Sequence, residues 1–398
     1  MHVSGANEGI SLIEKRNQRM DPKHINADGL QRRHQLTAMR VVRGISCLMT
    51  LLTTACMTLI YCAPIFTLLL RLFSIHYSRK SVALLFGAWL SMWPFLFEKL
   101  NNTKVVFSGD RVPLKERALL FANHRTEVDW MYLWDLALRK GCLGSIKYVL
   151  KRSLMKLPVF GWGFQVLEFI SVERKWEVDE TLMQRKLSTF KDPRDSLWLA
   201  VFPEGTDYTE QKCIISQKYA AENSLPILEN VLLPKTKGFY ACLEALRESL
   251  DAVYDISIAY KHRSPTFLDN AFGVNPLEVH IHIRRFLPHE IPESEKDVAS
   301  WLIERFRVKD QLLGDFASFG YFPDEGTEGE LSSISCLVKV AAMLSLTCVF
   351  LYLTFFSAFW FKIYVLISAV YLSYITHFDI QPTPIFGCLK SLVCSKKD

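Results

Sequence analysis

The chain has 398 residues, half of them hydrophobic and 13% aromatic, with a formal net charge of +6. That balance is rich for a soluble protein and points to membrane segments flanking one domain of roughly 200 residues. The charge suits an anionic membrane surface or phosphorylated ligands, and no basic run is interleaved with aromatics, which argues against a nucleic-acid partner.

Residues 1–43 are polar and carry eight Lys or Arg. They read as a mostly disordered, basic tail, and the positive-inside rule puts that tail in the cytosol. Residues 44–70 run without a charge, long enough to span a bilayer, which needs about 20 apolar residues. Residues 81–97 form a second, shorter apolar run with Trp89, Trp93 and Pro94. Residues 44–97 are thus expected to form a membrane hairpin that returns the chain to the cytosolic side. No cleavable signal peptide is visible.

Residues 98–330 read as a globular domain. Lys104-Val105-Val106-Phe107 is a short strand, and Ala118-Leu119-Leu120-Phe121 is a buried one. Asn123-His124-Arg125-Thr126-Glu127-Val128-Asp129 then forms a corner before a helix. Strands are also expected at 145–150, 169–172, 197–202, 252–260 and 277–286, with helices at 176–190 and 294–315. Near-continuous apolar strands alternating with helices predict an α/β fold, a largely parallel sheet flanked by helices. In the last strand Val279, Ile281 and Ile283 alternate with His280 and His282, so the two histidines are expected on a solvated outer face. A metal site there lacks a third ligand. Residues 331–398 carry further apolar segments, at 340–361 and 363–375, and end in Lys396-Lys397-Asp398, close to a dilysine retrieval signal but out of register. Ten cysteines without a Cys-x-x-Cys pair read as small hydrophobes in a reducing compartment.

Corners at the carboxyl ends of strands are where α/β folds place chemistry. His124 and Asp129 suit a base and the carboxylate that holds its second ring nitrogen, with Glu127 a competing partner. Two further corners follow strands: Glu173-Arg174, and Phe202-Pro203-Glu204-Gly205-Thr206.

These corners, in this order, resemble the motif set of the glycerolipid acyltransferase family, the lysophosphatidic acid acyltransferase-like enzymes. Asn-His-x4-Asp is matched at 123–129, Phe-Ile followed by a carboxylate and Arg at 169–174, Phe-Pro-Glu-Gly-Thr at 202–206, and an apolar run ending in Pro at Leu232-Leu233-Pro234. The likeness covers about residues 98–310. One departure is Asp207, which stands where many members carry Arg. The Asn-His-Arg-Thr and Gly-Thr-Asp forms resemble the branch holding lysocardiolipin acyltransferase and similar plant enzymes. The resemblance implies a membrane-bound, acyl-CoA-dependent O-acyltransferase that acylates the sn-2 hydroxyl of lysophosphatidic acid, with acyl-CoA a co-substrate and no resident cofactor or metal. It implies His124 and Asp129 as catalytic residues and Arg174, Glu204, Gly205, Thr206, Lys235 and Lys237 as substrate-binding ones. Lys147, Lys151 and Arg152 form a further basic group. The partners are lysophospholipid, acyl-CoA and membrane lipid, and the expected location is the endoplasmic reticulum membrane. Lysocardiolipin or lysophosphatidylinositol remains an alternative acceptor, and a catalytically silent membrane scaffold is the alternative of another class.

Overall fold

The computed structural model describes residues 34–382; most of the basic tail and the lysine-rich end fall outside the described residues. The strands are β1 (Lys104–Gly109), β2 (Ala118–Ala122), β3 (Ile146–Lys151), β4 (Ile170–Val172), β5 (Trp198–Val201), β6 (Ala252–Tyr260) and β7 (Glu278–Phe286). The helices are α1 (Ala38–Pro64), α2 (Ile75–Leu90), α3 (Asp129–Lys140), α4 (Phe160–Val166), α5 (Trp176–Ser188) and α6 (Glu210–Glu222). They continue with α7 (Thr236–Leu246), α8 (Phe267–Phe272), α9 (Glu295–Phe319), α10 (Ser333–Phe356) and α11 (Phe359–His377).

One seven-stranded sheet runs in the order β1-β7-β6-β2-β5-β3-β4. Every neighbouring pair is parallel except β6 and β7. β2 sits in the middle, and its five residues, Ala-Leu-Leu-Phe-Ala, are all buried because both faces of the sheet are covered. Leu120 and Ala122 face a core shared with α1 to α4; Leu119 and Phe121 face a second core shared with α5, α7 and α9. This is the period-2 alternation of a strand with helices on both sides.

The terminal apolar segments are helical. Ala38–Phe73, Ile75–Leu100, Ser333–Phe356 and Phe359–His377 are each long and apolar enough to cross a membrane. The first begins before the expected edge at residue 44, capped by Thr37. Arg40 and Arg43 therefore belong to the helix and not to a tail. Arg40 donates to the Gly273 carbonyl at 2.6 Å and Arg43 to Asn101 Oδ1 at 2.8 Å. The second segment is no detached span: Trp89, Trp93, Leu96 and Phe97 are part of the core beside the sheet.

A buried carboxylate ties these helices to the domain. Glu168, just before β4, takes Arg71 at 2.7 Å, Arg79 at 2.7 Å and Lys147 at 3.5 Å. Burial alone would raise Glu168, but Lys147, Arg79 and Arg71 outweigh it and hold the carboxyl far below its usual range. Burial likewise pulls Lys147 down to about 8. Lys147 is consequently committed to this cluster and does not face a ligand.

One expectation, on β7, differs from what the fold contains. His280 and His282 are buried, not solvated, because the end of α9 lays Phe316 over His280 and the chain just after it lays Phe322 over His282. His280 lies between Glu278 (3.2 Å) and Glu325 (3.1 Å), and burial still lowers its pKa. Among the described residues no group of three ligand-type side chains could hold a metal ion.

Replacing Glu168 with Gln keeps the shape but removes the carboxylate partner of the buried Arg71 and Lys147, while Arg79 keeps Asp195. Breaking a buried pair this way costs roughly 3–5 kcal/mol. A clear drop in the midpoint of thermal unfolding of detergent-solubilised E168Q is expected, with residues of the catalytic corner untouched.

Candidate active site

The corner after β2 is a tight reciprocal turn. The Thr126 N–H donates to Asp129 Oδ2 at 2.8 Å, and the Asp129 N–H returns to the Thr126 carbonyl at 3.2 Å. That turn brings residues five apart together, which a helix face would not. Asp129 starts α3, where a negative charge is favoured by the helix dipole. It is fully buried, and its Oδ2 lies 3.0 Å from His124 Nδ1. His124 is left with Nε2 as its free ring nitrogen. Its ring rests on Phe202, centroids 4.6 Å apart. Glu127 turns the other way and accepts the Phe267 N–H at 2.8 Å, so it does not compete for the imidazole.

Burial of His124 works against its cation. The hydrogen bond and charge of Asp129 and the charges of Glu204 and Asp207 more than offset that, and the net shift is upward from 6.5.

Glu204 fixes the rest of the corner. Its Oε1 accepts the His124 N–H at 2.8 Å and its Oε2 the Leu232 N–H at 2.9 Å. Both oxygens are occupied by backbone, and burial carries the carboxyl up to about 7 despite those donors. Beside it the Tyr208 N–H donates to the His124 carbonyl at 2.7 Å, and the Lys235 N–H to the Pro203 carbonyl at 2.8 Å. Gly205 turns with φ +72°, and the Lys235 side chain lies over it; a Cβ there would meet that chain at 3.3 Å. Asn123 completes the frame. Its side chain pairs both ways with the backbone of Ile258, at 2.8 and 3.0 Å, pinning the end of β2 to β6.

A cavity of about 700 Å³ opens over this frame. His124, Arg174, Gly205, Lys235 and Lys237 all line it. So does an apolar set that includes Trp130, Tyr148, Leu150, Phe164, Phe169 and Phe202. Among the described residues the side chains of Arg174, Lys235, Lys237 and Lys151 have no ion-pair or hydrogen-bond partner. Arg174 sits at φ +66°, uncommon for a residue with a Cβ. The cause is buried Asp179 in the first turn of α5, whose carboxylate takes the N–H groups on either side, Glu173 at 2.7 Å and Lys175 at 2.9 Å.

The sequence-predicted residues divide accordingly. His124, Arg174, Gly205, Lys235 and Lys237 come together at one cavity, and Asp129 lies buried behind His124. Glu204 and Thr206 are not among its lining residues. Glu204 braces backbone from beneath. Thr206 Oγ1 donates to Asp207 Oδ1 and accepts from Lys212 Nζ, both within 3.0 Å. Asp207 is itself bound to Lys212 at 2.7 Å, so the position where the family pattern has Arg holds an internal ion pair. Three contributors were invisible in the motif reading: Asp179, Asn123 as a clamp, and Tyr260, whose hydroxyl donates to Asp129 Oδ1 at 2.6 Å. Only for Asp179 was there a signal, an acid in the first turn of a helix that follows a basic corner.

Residues 104–261 match the family model described as acyltransferase, and residues 271–343 match the model described as acyltransferase C-terminus. The chain is similar to the probable 1-acyl-sn-glycerol-3-phosphate acyltransferase 5 of Arabidopsis thaliana, 59% identical over 358 residues, covering 90% of this chain and 96% of that protein. It is 38% identical over 237 residues to 1-acyl-sn-glycerol-3-phosphate acyltransferase 2 of Brassica oleracea, covering 58% of this chain and 60% of the other. With lysocardiolipin acyltransferase 1 of Gallus gallus it shares 36% over 260 residues, covering 65% and 69%. The site and these matches define a membrane acyltransferase. The chain belongs to the glycerolipid acyltransferase family. Acyl-CoA is therefore a co-substrate and not a resident cofactor.

A base must be neutral to work, so kcat/KM for acyl transfer should rise with pH through the His124 pKa, with an acidic limb above 6.5. Asp129→Asn removes the largest upward influence and leaves burial. The limb should then move down, held up only by the charges of Glu204 and Asp207, and kcat should fall roughly 10²–10⁴-fold, the usual worth of general-base catalysis.

Proposed function

We propose that this protein transfers the acyl group of acyl-CoA to the sn-2 hydroxyl of lysophosphatidic acid, giving phosphatidic acid. The observation that carries this reading is the single cavity in which a carboxylate-held imidazole, unpaired cations and an apolar wall meet. The imidazole serves proton abstraction, the cations a phosphate, and the wall an acyl chain.

In the proposed reaction His124 Nε2 takes the proton of the sn-2 hydroxyl. The hydroxyl oxygen attacks the thioester carbonyl, and Asp129 holds the imidazole and stabilises its cation. The tetrahedral intermediate collapses with cleavage of the C–S bond. The CoA thiolate leaves and takes the proton from the His124 imidazolium, and the acidity of its thiol, near the ~8.5 of a cysteine thiol, makes it a good leaving group. Arg174 grips the acceptor phosphate with its fork, and Lys235 and Lys237 add point charge. Bilayer-resident substrates are concentrated where the helices hold the domain.

In this reading residues 44–97 and 331–398 anchor the 98–330 catalytic unit to the endoplasmic reticulum, with the domain facing the cytosol. The Asn101-Asn102-Thr103 acceptor sequence is no reporter of that orientation, because Asn101 is buried and bonded to Arg43 and Asn270. The exposed loop carrying Lys191 and Arg194 serves instead. Trypsin added to sealed microsomes should cut there; protection until detergent is added would place the domain in the lumen.

The deciding assay offers labelled oleoyl-CoA to microsomes carrying wild type, His124→Ala or Arg174→Ala, with lysophosphatidic acid, lysophosphatidylinositol, lysocardiolipin and lysophosphatidylcholine as acceptors. Wild type should prefer lysophosphatidic acid and H124A should be inactive. R174A should raise the KM of the acceptor about tenfold or more, the worth of a charge-assisted hydrogen bond, while the KM of acyl-CoA stays. Preference for lysocardiolipin would reassign the acceptor, and no activity on any would support the scaffold.

A further inference from the structure

Asp129 is fully buried and carries the imidazole on Oδ2. The Thr126 N–H is bound to that same oxygen. Its Oδ1 has one donor among the described residues, the Tyr260 hydroxyl at 2.6 Å. Tyr260 ends β6, on the far side of the corner from the cavity, and does not line it. Its place is fixed by pairing with Val279 on β7 and by an edge-to-face contact with Tyr132, centroids 6.0 Å apart. A buried carboxylate oxygen without a donor is costly and free to seek another partner.

We propose that Tyr260 is a positioning residue for the acyl transfer, holding Asp129 so that Oδ2 alone faces His124 and drawing off part of its negative charge. The inference rests on His124 acting as the base. Burial and the Asp129 charge push the Tyr260 ionisation well up, so its hydroxyl is a donor throughout the working pH range. The groups that face this cluster are Asp129, Glu204 and Asp207 around His124, and Tyr132 and Asp129 around Tyr260.

Removing the donor returns charge to Asp129, which then holds the imidazolium more strongly. Tyr260→Phe in the full-length membrane-bound enzyme should lower kcat about tenfold, the effect of one hydrogen bond to a charged group. KM for both substrates should stay within twofold. The acidic limb of kcat/KM should move up by roughly half to one pH unit. Substituting 3-fluorotyrosine at 260, the same shape with a stronger donor, should move the limb down. That second variant keeps the test decisive should Y260F fold poorly, as judged by its thermal unfolding midpoint. Tyr254→Phe, which removes a hydroxyl on the same strand bonded to Glu116 and not to the corner, is the control and should leave the limb in place. A limb that stays fixed in Y260F and in the fluorinated enzyme overturns the proposal, whatever happens to kcat. Failure of the underlying reading is separate: there H124A would retain activity.

Discussion

The site depends on one buried carboxylate that touches no ligand. Glu204 receives the N–H of His124 with one oxygen and the N–H of Leu232 with the other. It thereby joins the corner after β2, its own corner after β5, and the chain leading to Lys235. Such hydrogen bonds are strong because the surroundings are dry, and they favour the ionised carboxylate against the burial that raises it. They also use up the carboxylate. A group that looks from its motif like a substrate ligand works instead as the keystone of three backbones, and the cations above it owe their convergence to that joint.

The His124–Asp129 contact was legible because it is local. An Asn-His-x4-Asp corner between an apolar run and a helix leaves few ways to fold, and the Thr126–Asp129 turn is one that closes the five-residue gap. β6 and the start of α5 were legible for the same reason, since periodicity and turn residues are short-range signals. What escaped was contact between distant segments. Tyr260 is more than a hundred positions from Asp129 in the chain, and nothing about a Tyr ending an apolar strand marks it. His280 and His282 went wrong for a related reason. Strict alternation says that one face differs from the other, not that the polar face sees water, and here the end of α9 and the chain after it cover it. The apolar terminal runs were visible as membrane segments, but hydropathy could not reveal how much of the second one is core, with Trp93 and Phe97 beside the sheet.

The membrane helices and the chemistry are mechanically continuous. Arg43 and Arg71 stand at opposite ends of the first apolar helical stretch. The first reaches Asn101 before β1 and the second Glu168 before β4. Asn101 in turn donates to the Asn270 carbonyl, in the helix that begins at the pocket residue Phe267. A domain held at two such points has little freedom to tilt. Its cavity then keeps a fixed relation to the apolar helices, which suits substrates that arrive from a bilayer.

Asp207 sharpens the picture of anion recognition. A cation at that position would stand at the mouth of the Gly205 turn. Here the residue is an acid that holds Lys212 by 2.7 Å, and Thr206 is drawn into the same pair. Positive charge near that corner is neutralised, while Arg174, Lys235 and Lys237 have no partner among the described residues and line the cavity. The positive charge that lines the cavity is thus gathered on the side of β4 and α7 and kept off the β5 corner. Arg174 is further committed by backbone: Asp179 clamps the peptides on both sides and enforces a positive φ that no contact of the guanidinium explains. Strain of this kind persists where the surroundings over-determine it. The surroundings here are a buried acid, and what the strain secures is a cation at the wall of the cavity.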